Sequence, residues 1–466
     1  MDVNYYSDIF NNSVNATDCD ERHFTKYHPI KAIMLDNYDY LEELDASGKA
    51  RPCVLDNISK SILCQTSYLG YDSFECPNCD NFTIVCKSCH SRFCNGCGVK
   101  YAKQMATKVT WMCLDVTHRH IVFTIPDTLR NWFRQDRSRL NILFVAARNT
   151  ICLATNKNAL SKIKKGKNID THYMLQNHRV KNDFGMIATL HTFGRDLKWN
   201  PHIHALVAES VYDIKKDKIK TFNYFNFALL RKTWMYEVLR LICEHLNLKL
   251  KDFKKKMYEE HSNGFYVYAK YKKDEDKQYY KKDCSNNING CISYCMRYAA
   301  RPAMAESRIT KYDSKNNTVS WFYNDHKDEK RYDVTDSAKD FINKLIIHIP
   351  DRNFKTVRYY GFYANGYGKV NLDHLHDLLG SQRKRDYSRK TRDKKLKHQL
   401  NRYLYRTHMI DSFNRDPIKC SCGHYMEYAE SYDPLNGKKI TYGYRKKCID
   451  EMRKMRKLRR SPTLDT

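Results

Sequence analysis

Six cysteines within 22 residues constrain this chain more than any other feature of its sequence. They form three Cys-x2-Cys pairs, which are Cys76–Cys79, Cys86–Cys89 and Cys94–Cys97. Each pair can turn two thiolates towards one tetrahedral ion, and two pairs complete a structural zinc site. A segment this short buries little apolar surface, so metal binding would drive its folding. The pattern predicts a zinc-binding domain over residues 61–105.

The spacing leaves the pairing of these cysteines open. The simplest Zn²⁺ site takes its four thiolates from the first and third pairs: Cys76, Cys79, Cys94 and Cys97. Three residues between them, Cys86, Cys89 and His90, would then be spare, or would bind a second ion together with Cys64. A smaller group near the C-terminus is a further candidate: Cys420, Cys422 and His424, with Cys448 as an additional ligand. Its Cys-x-Cys spacing is a poorer geometry for one ion than Cys-x2-Cys.

The chain is strongly basic. Its 466 residues include 82 Lys and Arg against 53 Asp and Glu, which gives a formal net charge of +29. Such a charge favours a polyanionic partner, and the alternative is a lysine-rich surface that is only solvated. The charge is concentrated in residues 381–400 and 445–460, which we expect to contact DNA unless they form a solvated helix face.

The sequence also predicts a location for the protein. No uncharged apolar run reaches the length of a membrane span, and the N-terminus lacks the basic start and apolar stretch of a secretory signal. We therefore expect a cytoplasmic protein without a membrane partner. Thiols stay reduced in the cytoplasm, which favours metal binding over disulfides.

Strand-like and helix-like segments alternate between the cysteine cluster and about residue 375. We predict strands over 119–125, 185–193, 202–208, 265–269 and 356–363. We predict helices over 126–156, 223–246, 292–301 and 337–347. This order indicates an α+β fold with a central, mainly antiparallel sheet flanked by helices. The expected regions are 1–60 without an assigned role, the zinc-binding domain at 61–105, a catalytic domain at 106–375, and a basic region at 376–466.

Two histidines on a predicted strand indicate a second kind of metal site. Residues i and i+2 of a strand face the same side, so His202 and His204 can reach one ion while Ile203 faces the buried side. The chain has another His-x-His sequence, at His118 and His120. Its middle residue is a charged arginine, and we interpret that pair as structural or DNA-facing.

A catalytic ion needs a third ligand, and His191 is the candidate. It lies on the preceding predicted strand, and a hairpin over residues 194–200 would bring the two strands together. The alternative is a histidine packed in the core. Three imidazoles with open coordination positions could hold Mg²⁺, Mn²⁺ or another divalent ion against a phosphate, although all-imidazole ligation is soft for Mg²⁺.

Two tyrosines on the predicted helix 292–301 are candidate nucleophiles. Tyr294 and Tyr298 are four residues apart and so share one helix face, and Pro302 ends the helix. Three arginines flank the pair as candidate phosphate contacts: Arg297, Arg301 and Arg308. A phenol is a weak nucleophile at neutral pH, but it can attack a phosphodiester when a cation polarises the phosphoryl oxygen. The alternative is a pair of packing aromatic side chains.

Several motifs occur in an order that resembles one known family. These motifs are KYAKQMA after the cysteines, HRHIVFTIP, LHTFGRDLKWNPHIHALV, GFYVYAK, ISYCMRYAARPAMAESRI and HIPDRNFKTVRYYGFYAN. Over roughly residues 60–365 the chain resembles the two-tyrosine HUH transposases of the insertion sequence 91 family, which carry an N-terminal zinc-binding domain. Cys86 is additional to the family's cysteine pattern, and the resemblance beyond about residue 366 is loose.

The resemblance implies an HUH endonuclease-like core and a rolling-circle transposase that acts on single-stranded DNA at transposon ends and at the target. His202 and His204 match the HUH motif, and Tyr294 and Tyr298 match the tyrosine pair. By analogy with the related relaxases, His191 would be the third metal ligand. Each tyrosine would attack in turn, leaving a 5′-phosphotyrosine and a free 3′-OH. The chain has no phosphate-binding loop of an ATPase, so any unwinding would come from a host helicase or the replication machinery.

Two alternatives follow from the same residues. A plasmid replication initiator or relaxase would use the same HUH chemistry on a different DNA origin. A non-catalytic zinc-ribbon protein that binds nucleic acid would use the strand histidines only to stabilise a sheet.

Overall fold

The structure, a computed structural model, describes most of the chain. The described residues are 28–66, 69–79, 81–156, 181–222, 226–269, 302–325, 330–364, 372–380, 410, 416, 418–433 and 438–440. The predicted helix 292–301 and the basic stretches 381–400 and 445–460 lie outside them. Among the described residues, no helix combines the length and the apolar character that crossing a membrane requires.

Helices and strands alternate through the described residues. The helices are α1 Pro29–Asp36, α2 Tyr38–Ala46, α3 Cys53–Ile62, α4 Asn95–Met112, α5 Asp127–Gln135, α6 Leu140–Thr155, α7 Phe227–Leu246, α8 Lys251–Glu260, α9 Ala338–Ile346 and α10 Leu372–Leu378. The strands are β1 Tyr71–Glu75, β2 Phe82–Cys86, β3 His118–Thr124, β4 Asn182–Phe193, β5 Trp199–Asp213, β6 Lys218–Thr221, β7 Val267–Ala269, β8 Ile309–Asp313, β9 Thr318–Asn324, β10 Arg331–Ser337, β11 Val357–Gly361, β12 Glu427–Asp433 and β13 Lys438–Ile440.

The largest sheet has the strand order β11-β4-β5-β3-β7, with β6 paired to β5 outside this path. Every pairing in it is antiparallel. The long β4–β5 hairpin is its centre, and the register places His191 opposite His202. The predicted α+β class, with an antiparallel sheet flanked by helices, is confirmed.

Both faces of this sheet are covered. On β5, Ile203, Ala205 and Val207 face a core built with α5, α6 and α7. The alternate residues Leu206 and Ala208 face a second core. This second core includes residues of α4 and α10. The period of two along β5 therefore puts His202 and His204 on the α4 side of the sheet.

Most predicted elements of this region have counterparts, with shifted ends. The predicted helix 126–156 is divided into α5 and α6. Asp136 leaves the helical conformation at φ −137°, and its carboxylate accepts the N–H of Ser138 at 2.9 Å, which begins a new helical segment. The predicted helix 223–246 begins at Phe227 instead, because the Asn226 side chain caps it by accepting the N–H of Leu229.

A separate core joins the N-terminal helices to a second sheet. The three-stranded sheet β10-β9-β8 and α9 supply Trp321 and Phe341, and these residues cluster with Ile33 of α1 and Ile58 of α3. All four side chains are almost fully buried. These three strands were not among the predicted ones.

Two glycines permit the close pairing of β11 with β4. Gly361 lies opposite Gly185 and has φ +61°, a left-handed conformation. A Cβ atom at Gly361 would lie 1.6 Å from the carbonyl oxygen of Phe184. That carbonyl also accepts the N–H of Phe362 at 2.9 Å, so it cannot move away without losing a hydrogen bond. This edge of the largest sheet therefore requires glycine.

Gly361→Ala should destabilise the protein by about 3 kcal/mol, because left-handed strain and a backbone clash add together. Gly380→Ala is the matched control. Gly380 has φ +64° but nothing within 4 Å of an added Cβ, so only the strain of about 1 kcal/mol applies. Chemical denaturation of the two variants would measure the difference. Equal losses of stability would contradict the clash at β4.

Candidate metal centres

Strands β4 and β5 bring three imidazoles together on one sheet face. His191 pairs with His202 across the hairpin, and His204 lies two residues further along β5. The ring centroids of His191 and His204 are 4.4 Å apart, and those of His202 and His204 are 4.8 Å apart. One nitrogen from each ring lies within 4.8 Å of the others. The three sequence-predicted histidines therefore form one cluster.

Hydrogen bonds orient the His202 ring towards the centre of this cluster. Its Nδ1 lies 2.7 Å from the carbonyl oxygen of Asn200, so Nδ1 carries the proton and donates. Its Nε2 then presents a lone pair, 3.0 Å from Nε2 of His204. Burial lowers the pKa of His202 to about 4 and that of His204 well below its ordinary value. Both rings are neutral at pH 7, which is the form that binds a metal.

His120 is the functional candidate that sequence reasoning did not assign. Its ring stacks on His204 at 5.0 Å with 4° between the planes, and its Nε2 lies 2.8 Å from Nδ1 of His204. Burial lowers the pKa of His120 to about 4, so it too is neutral. In the tautomer that leaves Nε2 of His204 facing the cluster, His204 donates its Nδ1–H to His120. This contact was predictable only from the β3–β5 register, in which His120 lies opposite Leu206.

His118 has a different role from His120. Its Nδ1 donates to the carbonyl oxygen of Val116 at 2.8 Å, and its Nε2 accepts from the hydroxyl of Tyr363 at 2.6 Å. The ring is buried in the α4-side core. For His118 the structural interpretation is confirmed, whereas His120 lies against the imidazole cluster.

A cavity adjoins the cluster at His191. Arg92 and Arg137 also line it, as do Pro302 and Ala303, the first described residues after the gap at 270–301. Nη1 of Arg92 is buried and has no hydrogen-bond partner within the described parts of the chain. Arg137 is held by the carbonyl oxygen of Ile347 at 2.5 Å. The cavity therefore combines an imidazole with two cationic side chains, and the carboxylate of Asp351, 3.7 Å from Nε of Arg137, also lines it.

The remaining predicted catalytic residues divide into two groups. Tyr294, Tyr298, Arg297 and Arg301 lie outside the described residues, and their roles stay predictions. Arg308 is described. Its Nε donates to the carbonyl oxygen of Phe322 at 2.8 Å and its Nη2 to that of Arg195 at 2.5 Å. These donors connect the start of β8 to β9 and to the β4–β5 turn, and a phosphate contact by Arg308 stays a prediction.

Two groups of four thiols also converge. The first contains Cys64, which follows α3, and three cysteines that precede or begin α4: Cys89, Cys94 and Cys97. The Sγ atoms of Cys64 and Cys97 are 3.5 Å apart, and those of Cys89 and Cys97 are 3.6 Å apart. Tetrahedral ligands placed 2.3 Å from Zn²⁺ are about 3.8 Å from each other, so the spacing fits one ion.

The cysteines are therefore not grouped as their spacing suggested. Cys76 and Cys79 do not join Cys94 and Cys97, because the β1–β2 hairpin carries them to a second group completed by two distant thiols. Those two thiols are Cys420 and Cys422. The other predicted ligands lie elsewhere: Cys86 is on β2 opposite Tyr71, His90 belongs to neither group, His424 is near the second, and Cys448 is outside the described residues.

Comparisons with known proteins agree with this arrangement. A family model described as "Putative transposase" matches residues 185–370, which include the imidazoles of β4 and β5. A second model, the "Transposase zinc-binding domain" of insertion sequence 91 elements, matches residues 36–125. That range contains the whole first cysteine group and extends beyond the predicted 61–105 on both sides. No solved structure matches the chain significantly.

Two curated relatives span most of the chain. The "Transposase for insertion sequence element IS801" from Pseudomonas savastanoi pv. phaseolicola is 26% identical over 357 residues, which are 72% of this chain and 76% of the relative. The "Putative transposase y4qJ" from Sinorhizobium fredii (strain NBRC 101917 / NGR234) is 24% identical over 335 residues, or 68% and 76% of the two chains. The chain is thus similar to the transposases of the insertion sequence 91 family, whose zinc-binding domain it matches over residues 36–125.

Proposed function

We propose that this transposase is an HUH endonuclease that cuts and rejoins single-stranded DNA by rolling-circle transposition through 5′-phosphotyrosine intermediates. The observation that supports it most is the cluster of three imidazoles on β4 and β5, in which one nitrogen of each ring lies within 4.8 Å of the others. Imidazole nitrogens at this spacing can all serve as ligands of one cation.

The donor set fits a divalent ion. His191, His202 and His204 would each supply one nitrogen and leave coordination positions open on the α4 side of the sheet. Nitrogen donors suit Mn²⁺ better than Mg²⁺, and either ion is a candidate. When bound, the ion would polarise a phosphoryl oxygen of the DNA backbone. Arg92 and Arg137 would hold the negative charge of the same phosphate from the adjoining cavity.

Tyr294 and Tyr298 would be the nucleophiles. Pro302 lines the cavity beside His191, and Tyr298 precedes it by four residues, a distance of at most about 14 Å along the chain. One phenolic oxygen would form a bond to phosphorus as the bond from phosphorus to the 3′ oxygen breaks. The phenolic proton would pass to solvent, and the departing oxygen would become a free 3′-OH. Reversal of this step by another 3′-OH would rejoin a strand without ATP.

Single-stranded DNA at the element's ends and at its target would be the partner. The net charge of +29 favours the phosphate backbone, and the basic stretches 381–400 and 445–460 would add to that attraction. A host helicase or the replication machinery would open the duplex. We expect the protein to act in the cytoplasm, where its thiols stay reduced.

Two other functions have less support. A replication initiator or relaxase would use the same chemistry, and the transposase relatives favour an element end over a plasmid origin. A purely structural role for the strand histidines would not require their nitrogens to converge. This structural alternative predicts that DNA cleavage does not depend on a metal ion, which His202→Ala and treatment with EDTA would test.

The double substitution Tyr294→Phe with Tyr298→Phe should abolish covalent attachment to DNA, because no phenol remains to attack the phosphate. Binding of single-stranded DNA should stay within a few-fold of the parent, since only two hydroxyls are removed. The assay is incubation with labelled element-end DNA and Mn²⁺, followed by denaturing electrophoresis. Tyr258→Phe, on an exposed position of α8, is the control and should retain the adduct. Adducts that persist in the double variant would refute the tyrosine assignment.

Removal of the divalent ion should abolish DNA cleavage. His202→Ala removes one of three imidazole nitrogens, so cleavage should stop while the chain remains folded. Cleavage by the parent protein should also stop in excess EDTA and return with added Mn²⁺. Full activity in EDTA would argue against the metal and for the structural alternative.

His120 should act as a positioning residue for His204. Removing its acceptor in His120→Ala should weaken Mn²⁺ binding by about 10- to 100-fold. His120→Gln keeps a carbonyl acceptor and should recover most of the affinity. His118→Ala, on the same strand and face, is the matched control: it should lower stability and leave Mn²⁺ affinity nearly unchanged. Titration with Mn²⁺ measures the affinity of each variant. Equal losses of affinity in His120→Ala and His118→Ala would exclude a specific role of His120 in positioning His204.

A further inference from the structure

Four thiols from opposite ends of the chain meet at one point. Cys76 and Cys79 lie in the turn between β1 and β2, and Cys420 and Cys422 lie just before β12. The Sγ atoms of Cys76 and Cys422 are 3.5 Å apart, and so are those of Cys79 and Cys420. All four Sγ atoms lie within 4.8 Å of one another. The pairs are separated by 346 and 341 residues of sequence.

The backbone explains why these turns coincide. Strands β1 and β12 pair in antiparallel register from Tyr71 opposite Tyr432 to Glu75 opposite Glu427. The end of β1 therefore lies beside the start of β12. Cys76 follows that end directly, and Cys422 precedes that start by five residues. Together the strands form a four-stranded sheet of order β13-β12-β1-β2, in which each end of the chain supplies one hairpin.

Each turn is shaped to present its thiols. The N–H of Cys76 donates to the carbonyl oxygen of Asn81 at 2.9 Å, and the N–H of Cys420 donates to that of His424 at 2.9 Å. Gly423 has φ +90° and donates to the carbonyl oxygen of Cys420 at 3.0 Å, which closes the second turn tightly. This glycine gives the Cys-x-Cys pair a geometry that its spacing alone did not suggest.

The two turns also contact each other through a polar side chain. Nδ2 of Asn81, from the β1–β2 hairpin, donates to Sγ of Cys420 at 3.6 Å and to Oγ of Ser421 at 3.2 Å. An amide donor directed at sulfur favours its thiolate form. Four sulfur atoms within 4.8 Å of one another can serve as the tetrahedral ligands of one ion, and a single ion with such ligands is typically structural zinc.

We propose that Cys76, Cys79, Cys420 and Cys422 bind a second structural Zn²⁺ that joins the C-terminal region to the zinc-binding domain. The matched zinc-binding model ends at residue 125, so it contains only half of these ligands. The ion would link residues more than 300 positions apart in the sequence, where the strand contact between β1 and β12 is only five residue pairs long. It also anchors the segment that lies between the basic stretches 381–400 and 445–460. The site does not depend on the chemistry at the imidazoles.

Zinc content of the full-length chain tests this site. Cys420→Ser with Cys422→Ser should contain one zinc fewer than the parent protein, and Cys76→Ser with Cys79→Ser should contain one fewer as well. All four substitutions together should still lose only one, because both pairs hold the same ion. Adding Cys94→Ser and Cys97→Ser should remove a second. Cys243→Ser, a buried thiol outside both groups, is the control and should lose none. Native mass spectrometry under reducing conditions counts the ions.

A measurement on the parent protein guards against variants that fail to fold. Zinc should protect Cys420 and Cys422 from alkylation together with Cys76 and Cys79, and a chelator should expose all four. Half-buried Cys53, in neither group, should react in both conditions. The proposal is overturned if the Cys420/Cys422 variant keeps the parent's zinc content. It is equally overturned if these two thiols alkylate as fast with zinc as without it, or if the four form disulfides in the zinc-loaded protein.

Discussion

The antiparallel pairing of β4 with β5 is the constraint on which the imidazole cluster depends. A strand shows its residues alternately to two faces, so one register decides at once which side chains enter the core and which form the site. With His191 opposite His202, the residues Ile203, Ala205 and Val207 enter the core against α5, α6 and α7. A slip of one residue would exchange the imidazoles with these aliphatic side chains. The same apolar burial that stabilises the sheet therefore keeps the nitrogens on one face.

Helix α4 connects this face to the first cysteine group. Cys94 is its N-cap residue and Cys97 lies in its first turn, while Val109 and Met112 at the other end pack in the core that contains Leu206. The helix is 18 residues long, about 27 Å. A metal bound at its start would fix one end of a rigid element whose other end covers the catalytic sheet. Through α4, the zinc-binding domain would therefore help to stabilise the sheet face that carries the imidazoles.

The sequence predicted those features that depend on local periodicity. The alternation around His202 and His204 identified both the strand and its functional face, and the short connection to His191 implied the hairpin partner. Long-range partners were not accessible in this way. Cys76 lies near Cys420 rather than Cys94 because β1 pairs with β12, which is more than 300 residues away in the sequence. The Cys-x2-Cys spacing carries no information about this strand pairing. The contact of His120 with His204 was not predicted for the same reason, since it runs between strands.

The tautomers at the imidazole cluster show how the fold prepares its ligands. His202 is oriented by a backbone carbonyl two residues before it, so any folded β5 would position it. Nδ1 of His204 lies 2.8 Å from Nε2 of His120, on the neighbouring strand. Because His120 is itself buried and neutral, it can accept a proton from His204 without adding a positive charge beside the ion. A lysine or arginine at that position could only donate and would repel the cation. We therefore infer that a neutral acceptor on β3 strengthens the binding of a divalent ion at this cluster, so that the His-Arg-His sequence of β3 contributes to the proposed site as well as to the core.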